Sequence, residues 1–141
     1  MKLGIPEFAR FFLALVGTLY LGLALWCSFD PVTTSEKVGF ALQGDAGGSE
    51  FLTVYGGLEF GLGIAFWLPV WRRQWTLPVL TICLVLHICL VVFRSIGFWF
   101  YPDPGEMTVR LAIGEWGIVL LAGSLWGWLS FLPTKRPADS T

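Results

Sequence analysis

Four long stretches of apolar residues, almost free of charge, alternate along the chain with short polar segments. They cover residues 11–29, 51–71, 74–93 and 111–132. A helix of about 20 apolar residues crosses the roughly 30 Å hydrocarbon core of a bilayer. The pattern therefore predicts four transmembrane helices in one integral membrane domain over residues 1–141, an all-α four-helix bundle.

Composition supports this prediction and excludes other classes. Hydrophobic residues make up 55% of the chain and charged residues 13%, whereas a soluble domain carries about 25% charge. The formal net charge of −1 and the absence of a basic cluster exclude nucleic acid as a partner. Cys27, Cys83 and Cys89 lie in apolar runs without a CxxC motif, so we expect them to be buried packing residues.

The distribution of positive charge predicts the orientation of the bundle. The N-terminal segment, the Arg72-Arg73 turn and the C-terminal tail hold six of the nine lysines and arginines, and the other two loops hold three. Because positive loops remain in the cytoplasm, both termini are predicted to be cytoplasmic. The short turn at Arg72 predicts a tight hairpin between the second and third spans, and the tail from Pro133 is predicted to fray.

The two remaining loops differ in composition. Residues 30–50 include a glycine-rich run without periodicity, which predicts a partly mobile loop. Residues 98–101 (FWFY) precede a proline-glycine turn at 102–105. Aromatic residues favour the headgroup level, so this second loop is predicted to lie on the membrane surface as a lid.

Small residues recur at four-residue spacing within three of the spans. Such spacing allows two helix backbones to approach closely. The predicted contact positions are Gly57 and Gly61, Gly123 and Gly127, and the series Ala14, Thr18 and Gly22.

Three titratable residues fall within the spans, where a charged side chain by default marks a functional site or an ion pair. Glu59, His87 and Glu115 are all predicted to lie in the outer half of the bundle. Arg94 follows His87 by two helical turns and shares its face, and Arg110 precedes Glu115 by about one and a half turns.

These residues predict a polar pocket that opens to the outside. Tyr55 lies one helical turn from Glu59 and can hydrogen-bond its carboxyl group. In this interpretation the two glutamates accept a proton or cation, the two arginines are anion partners, and the histidine is a titrating relay. The candidate ligand-binding residues are Tyr55, Glu59, His87, Arg94, Arg110 and Glu115.

Each candidate also has a structural interpretation. The glutamates could be kept neutral by burial or be paired with arginines, and a lone histidine on an apolar helix is often a packing residue. Cys83 and His87 share a face at a spacing that could bind a metal together with a glutamate. We predict no metal and no cofactor.

The second and fourth spans share a short pattern. Glu59-Phe60-Gly61-Leu62 and Glu115-Trp116-Gly117-Ile118 both read acidic, aromatic, glycine, aliphatic. A duplicated helical hairpin would explain this similarity.

Residues 50–63 read EFLTVYGGLEFGLG, and with the later Phe93-Arg94 and the fourth span around Glu115 they resemble the bacterial family catalogued as domain of unknown function 4345. The YGGLE core is the most specific part of this resemblance. The resemblance implies a small four-span membrane protein without an assigned activity, more distantly similar to DoxX-like proteins. We expect the bundle to lie in the inner (cytoplasmic) membrane of the cell.

Three functions remain open from the sequence. The leading prediction is a membrane bundle that binds or passes a small molecule or proton in the charged pocket. The second is a small integral-membrane enzyme, an isomerase or oxidoreductase subunit acting on a lipid or quinone. The third is a structural membrane partner. Besides the lipid bilayer, the candidate partners are a small apolar or amphipathic ligand and a second copy of the chain.

Overall fold

The computed structural model describes residues 4–131, which are helical except for short connections. Six α-helices, one π-helix and one 3₁₀ turn follow one another along the chain. In order they are α1 (Ile5–Phe29), α2 (Pro31–Lys37), α3 (Gly44–Phe51), the π-helix (Leu52–Leu58), α4 (Glu59–Trp71), the 3₁₀ turn (Arg73–Trp75), α5 (Thr76–Phe100) and α6 (Glu106–Ser130).

Four of these stretches are long and apolar enough to cross a membrane: Ile5–Phe29, Gly44–Trp71, Arg73–Phe100 and Glu106–Ser130. The second joins α3, the π-helix and α4 into one continuous span. The predicted all-α four-helix bundle is therefore confirmed, and the chain has the organisation of a multi-pass membrane protein. The last predicted span residue, Leu132, and the tail after it lie outside the described residues.

Helix α1 packs against all three other spans, most extensively against α4, and α5 packs most extensively against α6. The turn at Arg72 is short, as predicted. However, α4 and α5 contact each other less than each contacts its main neighbour. We call this end of the bundle the hairpin end, and the opposite end, where residues 30–43 and 101–105 connect the helices, the loop end.

The apolar core lies toward the hairpin end. It combines the first half of α1, the end of α4, the start of α5 and the end of α6. Its buried members are Ala9, Phe12, Leu13, Val16, Phe66, Val79, Leu80, Cys83, Ala122 and Leu125. Because these side chains are apolar and close-packed, the hairpin half of the bundle is sealed, and polar side chains are placed farther toward the loop end.

Residues 30–50, predicted as a partly mobile loop, contain α2 and most of α3. Asp30 caps α2, since its carboxylate accepts a hydrogen bond from the Thr33 backbone N–H (3.3 Å), and Pro31 occupies the first helical position. The glycine-rich segment forms α3, which continues directly into the second span. Extending an existing helix costs far less than starting one, which offsets the poor helix propensity of glycine.

The aromatic run at residues 98–101 is also not a surface loop. Helix α5 continues through Phe100, and Tyr101 is its C-cap residue. The helix stops there because Pro102 disfavours helical geometry in the residue before it. Trp99 and Phe100 are largely exposed on this last helical turn. The longer helix places His87 near mid-bundle, about 20 Å from Phe100 and about 16 Å from the start of α5.

The close helix approach falls on other glycines than those predicted. A Cβ atom at Gly57, Gly61 or Gly127 would meet nothing within 4 Å, and Gly22 is equally open. The backbones of α1 and α4 instead cross at Gly17 and Gly63. The burial predicted for all three cysteines is also wrong in one case, since Cys89 is exposed whereas Cys27 and Cys83 are buried.

Candidate functional site

Polar side chains from all four spans converge between the middle of the bundle and its loop end. We call this group the polar cluster: Tyr20, Tyr55, Glu59, His87, Arg94 and Glu115. The Tyr20 hydroxyl contacts His87, and Arg94 contacts Glu115. Helix α1, which carries Tyr20, packs on the π-helix and α4, which carry Tyr55 and Glu59. Five of the six predicted site residues belong to this group.

Arg94 and Glu115 form a two-pronged ion pair between α5 and α6. The Arg94 Nε and Nη2 atoms donate to the two Glu115 carboxylate oxygens at 2.6 and 2.5 Å. The two side chains are 24% and 13% exposed. This parallel geometry is the strongest arrangement for an arginine and a carboxylate. Glu115 is therefore neutralised by Arg94, as its structural interpretation required.

His87 is fully buried, and both of its ring nitrogens have partners. Nδ1 lies 2.8 Å from the Cys83 carbonyl oxygen, which only accepts hydrogen bonds, so Nδ1 carries the proton. Nε2 is then the acceptor in the neutral ring, and the Tyr20 hydroxyl donates to it over 3.3 Å. These contacts hold the ring in one orientation between α1 and α5.

Replacing Tyr20 by phenylalanine is expected to lower the free energy of unfolding by about 1 kcal/mol, because His87 Nε2 loses its donor. The measurement is equilibrium unfolding in mixed detergent micelles, followed by tryptophan fluorescence. Tyr101→Phe is the control, since Tyr101 is largely exposed. Equal stability of both variants would mean that ring packing alone positions His87.

Glu59 has no counterpart to the Arg94–Glu115 ion pair. Its Oε2 atom is buried and lacks a hydrogen-bond partner among residues 4–131. Buried polar atoms are nearly always satisfied, so each exception needs an explanation. A carboxyl oxygen in this position can accept a hydrogen bond from a molecule that enters the cluster.

The predicted hydrogen bond between Tyr55 and Glu59 is absent from the described part of the chain. Four-residue spacing aligns side chains in an α-helix, but Tyr55 lies in the π-helix, where bonds run between residues five apart. The Tyr55 ring instead packs between Phe51 (centroids 4.6 Å apart) and Phe40 (5.8 Å). These rings cover the cluster at the loop end.

Arg110 does not join the polar cluster. Its Nη2 atom donates to Glu106 Oε1, one helical turn earlier, and both side chains are more than two-thirds exposed. The pair lies in the first turns of α6, on the surface of the loop end. The structure therefore gives Arg110 no contact with the predicted pocket.

Tyr20 is a cluster residue that the sequence reasoning missed. It lies four residues after Val16 and four before Ala24, both of which are buried. This helical spacing places the tyrosine on the stripe of α1 that faces the other helices. A polar side chain on this inward-facing stripe of α1 was the signal that could have identified Tyr20 from the sequence.

A cleft of about 60 Å³ lies between α5 and α6 beside the ion pair. Its lining combines apolar side chains with both members of the pair. The lining residues are Val91, Arg94, Ser95, Phe98, Ala112, Glu115 and Trp116. The cleft brings the surface of the bundle close to the polar cluster, and no feature of the sequence predicted it.

Within the described residues, no group of three histidine, cysteine, aspartate or glutamate side chains is placed to hold a metal ion. The Cys83–His87 pair, considered above as part of a metal site, has its Nδ1 atom directed at a backbone carbonyl.

Known proteins give no guide to the role of this cluster. No protein family, curated protein or solved structure matches the chain. The resemblance to the domain of unknown function 4345 family thus rests on the residues quoted for it.

Proposed function

We propose that this protein binds a small molecule in its polar cluster through a hydrogen-bond donor that the ligand presents to Glu59. The observation that carries the proposal is the buried Glu59 Oε2 atom, which has no partner in residues 4–131. Leaving a buried acceptor unsatisfied costs about 1–3 kcal/mol. A ligand that donates to this oxygen recovers that cost as binding energy.

The charges around Glu59 favour a ligand that carries an amine. Arg94 is neutralised by Glu115, and Arg110 by Glu106. Lys37 lies over the Trp26 ring at 4.7 Å, near the membrane surface. Arg94, Arg110 and Lys37 are thus each engaged in a contact away from Glu59. An ammonium group would supply both the positive charge and the donor that Glu59 lacks.

Binding is better supported than passage across the membrane. The apolar core, with Leu13, Phe66 and Leu80 fully buried, fills the hairpin half of the bundle. The polar cluster lies on the loop-end side of this core. Passage would require this half to repack, whereas binding requires only the cluster.

The geometry also favours binding over catalysis. An enzyme that exchanges protons with an apolar substrate would need a free base, but both His87 nitrogens are occupied by Tyr20 and the Cys83 carbonyl. In the described part of the chain, Glu59 keeps one buried carboxyl oxygen without a partner. A carboxyl group that lacks a second proton-transferring group is suited to accept a hydrogen bond from a ligand.

We further propose that the protein resides in the inner membrane of a bacterium, with both termini in the cytoplasm. The clustering of Arg72 and Arg73 at the hairpin end supports this orientation. The ligand site would then open in the outer half of the bilayer. A cysteine introduced at Glu106 should react with a membrane-impermeant maleimide in intact cells, and one at Arg72 should not.

Octylamine is expected to stabilise the purified protein against thermal unfolding, because its ammonium group can pair with Glu59. A ligand at about 100 times its Kd stabilises by about 2.7 kcal/mol. The measurement is Tm in nonionic detergent, followed by tryptophan fluorescence, with octylamine and octanoate compared at equal concentration. Octanoate presents a negative charge and should not raise Tm.

Glu59→Gln is expected to keep the fold and lose the response to octylamine. Glu106→Gln is the matched control, since it removes an exposed carboxylate at the bundle surface and should respond like the wild type. If Glu59→Gln responds fully, the amine binds elsewhere and the proposed function is contradicted.

A further inference from the structure

The cleft between α5 and α6 is separated from the polar cluster by the Arg94–Glu115 ion pair. Both residues line the cleft. On the other side of the pair, α5 and α6 both pack against α1, which carries Tyr20. The pair therefore forms the wall between the bundle surface and the interior.

The outer mouth of the cleft faces the bilayer. Trp116, at its edge, is half exposed, and the neighbouring Ile113 is 68% exposed on the same helix. Such apolar surface on a transmembrane helix is covered by lipid. A molecule in the cleft would thus arrive from the membrane, with an apolar part beside Phe98 and Trp116.

The loop end offers less access to the same cluster. Phe40 and Phe51 pack on Tyr55 there, and Phe51 is only 5% exposed. Helix α2 packs against α1, with Thr34 and Ser35 buried. Water-borne molecules would have to displace this packed layer.

We propose that the ligand is an amphipathic amine that reaches Glu59 laterally from the bilayer through this cleft, with the Arg94–Glu115 pair as the gate. This inference rests on the proposed function. The cleft holds about 60 Å³, about the volume of two water molecules. An ammonium group fits it, and moving on to Glu59 requires the pair to separate.

The chemistry of the gate suits a cation. As the ammonium group enters, it can replace Arg94 as the partner of Glu115 and release the arginine side chain. The exchange keeps the Glu115 carboxylate paired, and the Arg94 guanidinium is unpaired until the ammonium group moves on to Glu59.

The access route can be tested separately from amine binding with two carbodiimides, which modify protonated carboxyl groups. N,N′-dicyclohexylcarbodiimide partitions into the bilayer, and a cationic water-soluble carbodiimide does not. The protein is reconstituted in phosphatidylcholine vesicles at mildly acidic pH, and labelling of Glu59 is followed by mass spectrometry of its peptide. We expect the membrane-soluble reagent to label Glu59 faster.

Ala112→Phe fills the cleft and is expected to slow this labelling several-fold. Ile113→Phe is the control, because the adjacent side chain faces lipid and its enlargement leaves the cleft open. Faster labelling by the water-soluble reagent, no labelling by either, or equal rates in the two variants would each overturn the lateral route.

The outcomes distinguish the two proposals. If octylamine stabilises the protein through Glu59 but Ala112→Phe does not slow labelling, binding stands and the lateral route fails. If Ala112→Phe slows the labelling of Glu59 but octylamine has no effect on Tm, the route stands and the proposed ligand chemistry fails. The comparison of the two reagents uses the wild type, so it holds even where Ala112→Phe does not fold.

Discussion

Replacing Arg94 by methionine is expected to destabilise the folded protein by about 3 kcal/mol, since removing one partner of a buried ion pair leaves the other charge unpaired. Glu115 is only 13% exposed, so water compensates it poorly. Methionine keeps most of the volume of the arginine stem, so the loss is mainly electrostatic. Equilibrium unfolding in mixed detergent micelles measures it.

The Arg110–Glu106 pair supplies the control. It also joins a guanidinium to a carboxylate, but both side chains are exposed and one helical turn apart. Exposed pairs contribute about 0–1 kcal/mol, so Arg110→Met should have little effect. The double variant Arg94→Met, Glu115→Leu should recover much of the lost stability because no charge is left unpaired. Equal effects at Arg94 and Arg110 would contradict a structural ion pair at Glu115.

This comparison explains why sequence reasoning treated Glu59 and Glu115 as equivalent. Both glutamates occur in the same four-residue pattern within parallel spans. Whether an arginine reaches one of them depends on the rotation and spacing of neighbouring helices, which the pattern does not contain. Arg94 reaches Glu115 on α6, and Glu59 keeps its free oxygen.

The positions of the four spans could be predicted because lipid imposes one simple requirement. About 20 uncharged residues must pass through the hydrocarbon core, and such runs are visible in the sequence. The helix ends could not be predicted equally well. Outside the hydrocarbon core, helices continue until a residue such as Pro102 stops them. Helix α5 therefore includes residues 98–100 of the aromatic run.

The site was predicted in part for a related reason. Titratable side chains are rare within a span, so Glu59, His87 and Glu115 can be identified as candidate site residues without knowledge of the fold. The π-helix before Glu59 has no sequence signature of this kind, so the contact with Tyr55 was predicted wrongly. π-helical turns are frequent at functional sites, which agrees with a binding role for the residues that follow this one.

Gly17→Ala is expected to destabilise the bundle by about 2 kcal/mol, within the range for overpacked cores. A Cβ atom at this position would lie 2.8 Å from the backbone carbonyl oxygen of Gly63 and 2.7 Å from Trp67 Cδ1. The carbonyl belongs to the α4 backbone and cannot move without separating the two helices. Gly63→Ala should also destabilise the bundle, because a Cβ atom there would lie 2.7 Å from Leu21 Cγ and 3.0 Å from the Gly17 carbonyl oxygen.

Gly61→Ala is the matched control on the same helix, since an added Cβ there meets nothing within 4 Å. It should be neutral or stabilise by up to about 1 kcal/mol, because alanine is the better helix former. Unfolding in mixed micelles should therefore give opposite signs at Gly17 and Gly61. The crossing at Gly17 also fixes Tyr20 relative to Glu59, so Gly17→Ala should weaken the stabilisation by octylamine, whereas Gly61→Ala should preserve it. Loss of stability at both glycines alike would mean that helix flexibility, and not the close crossing of α1 and α4, holds the cluster together.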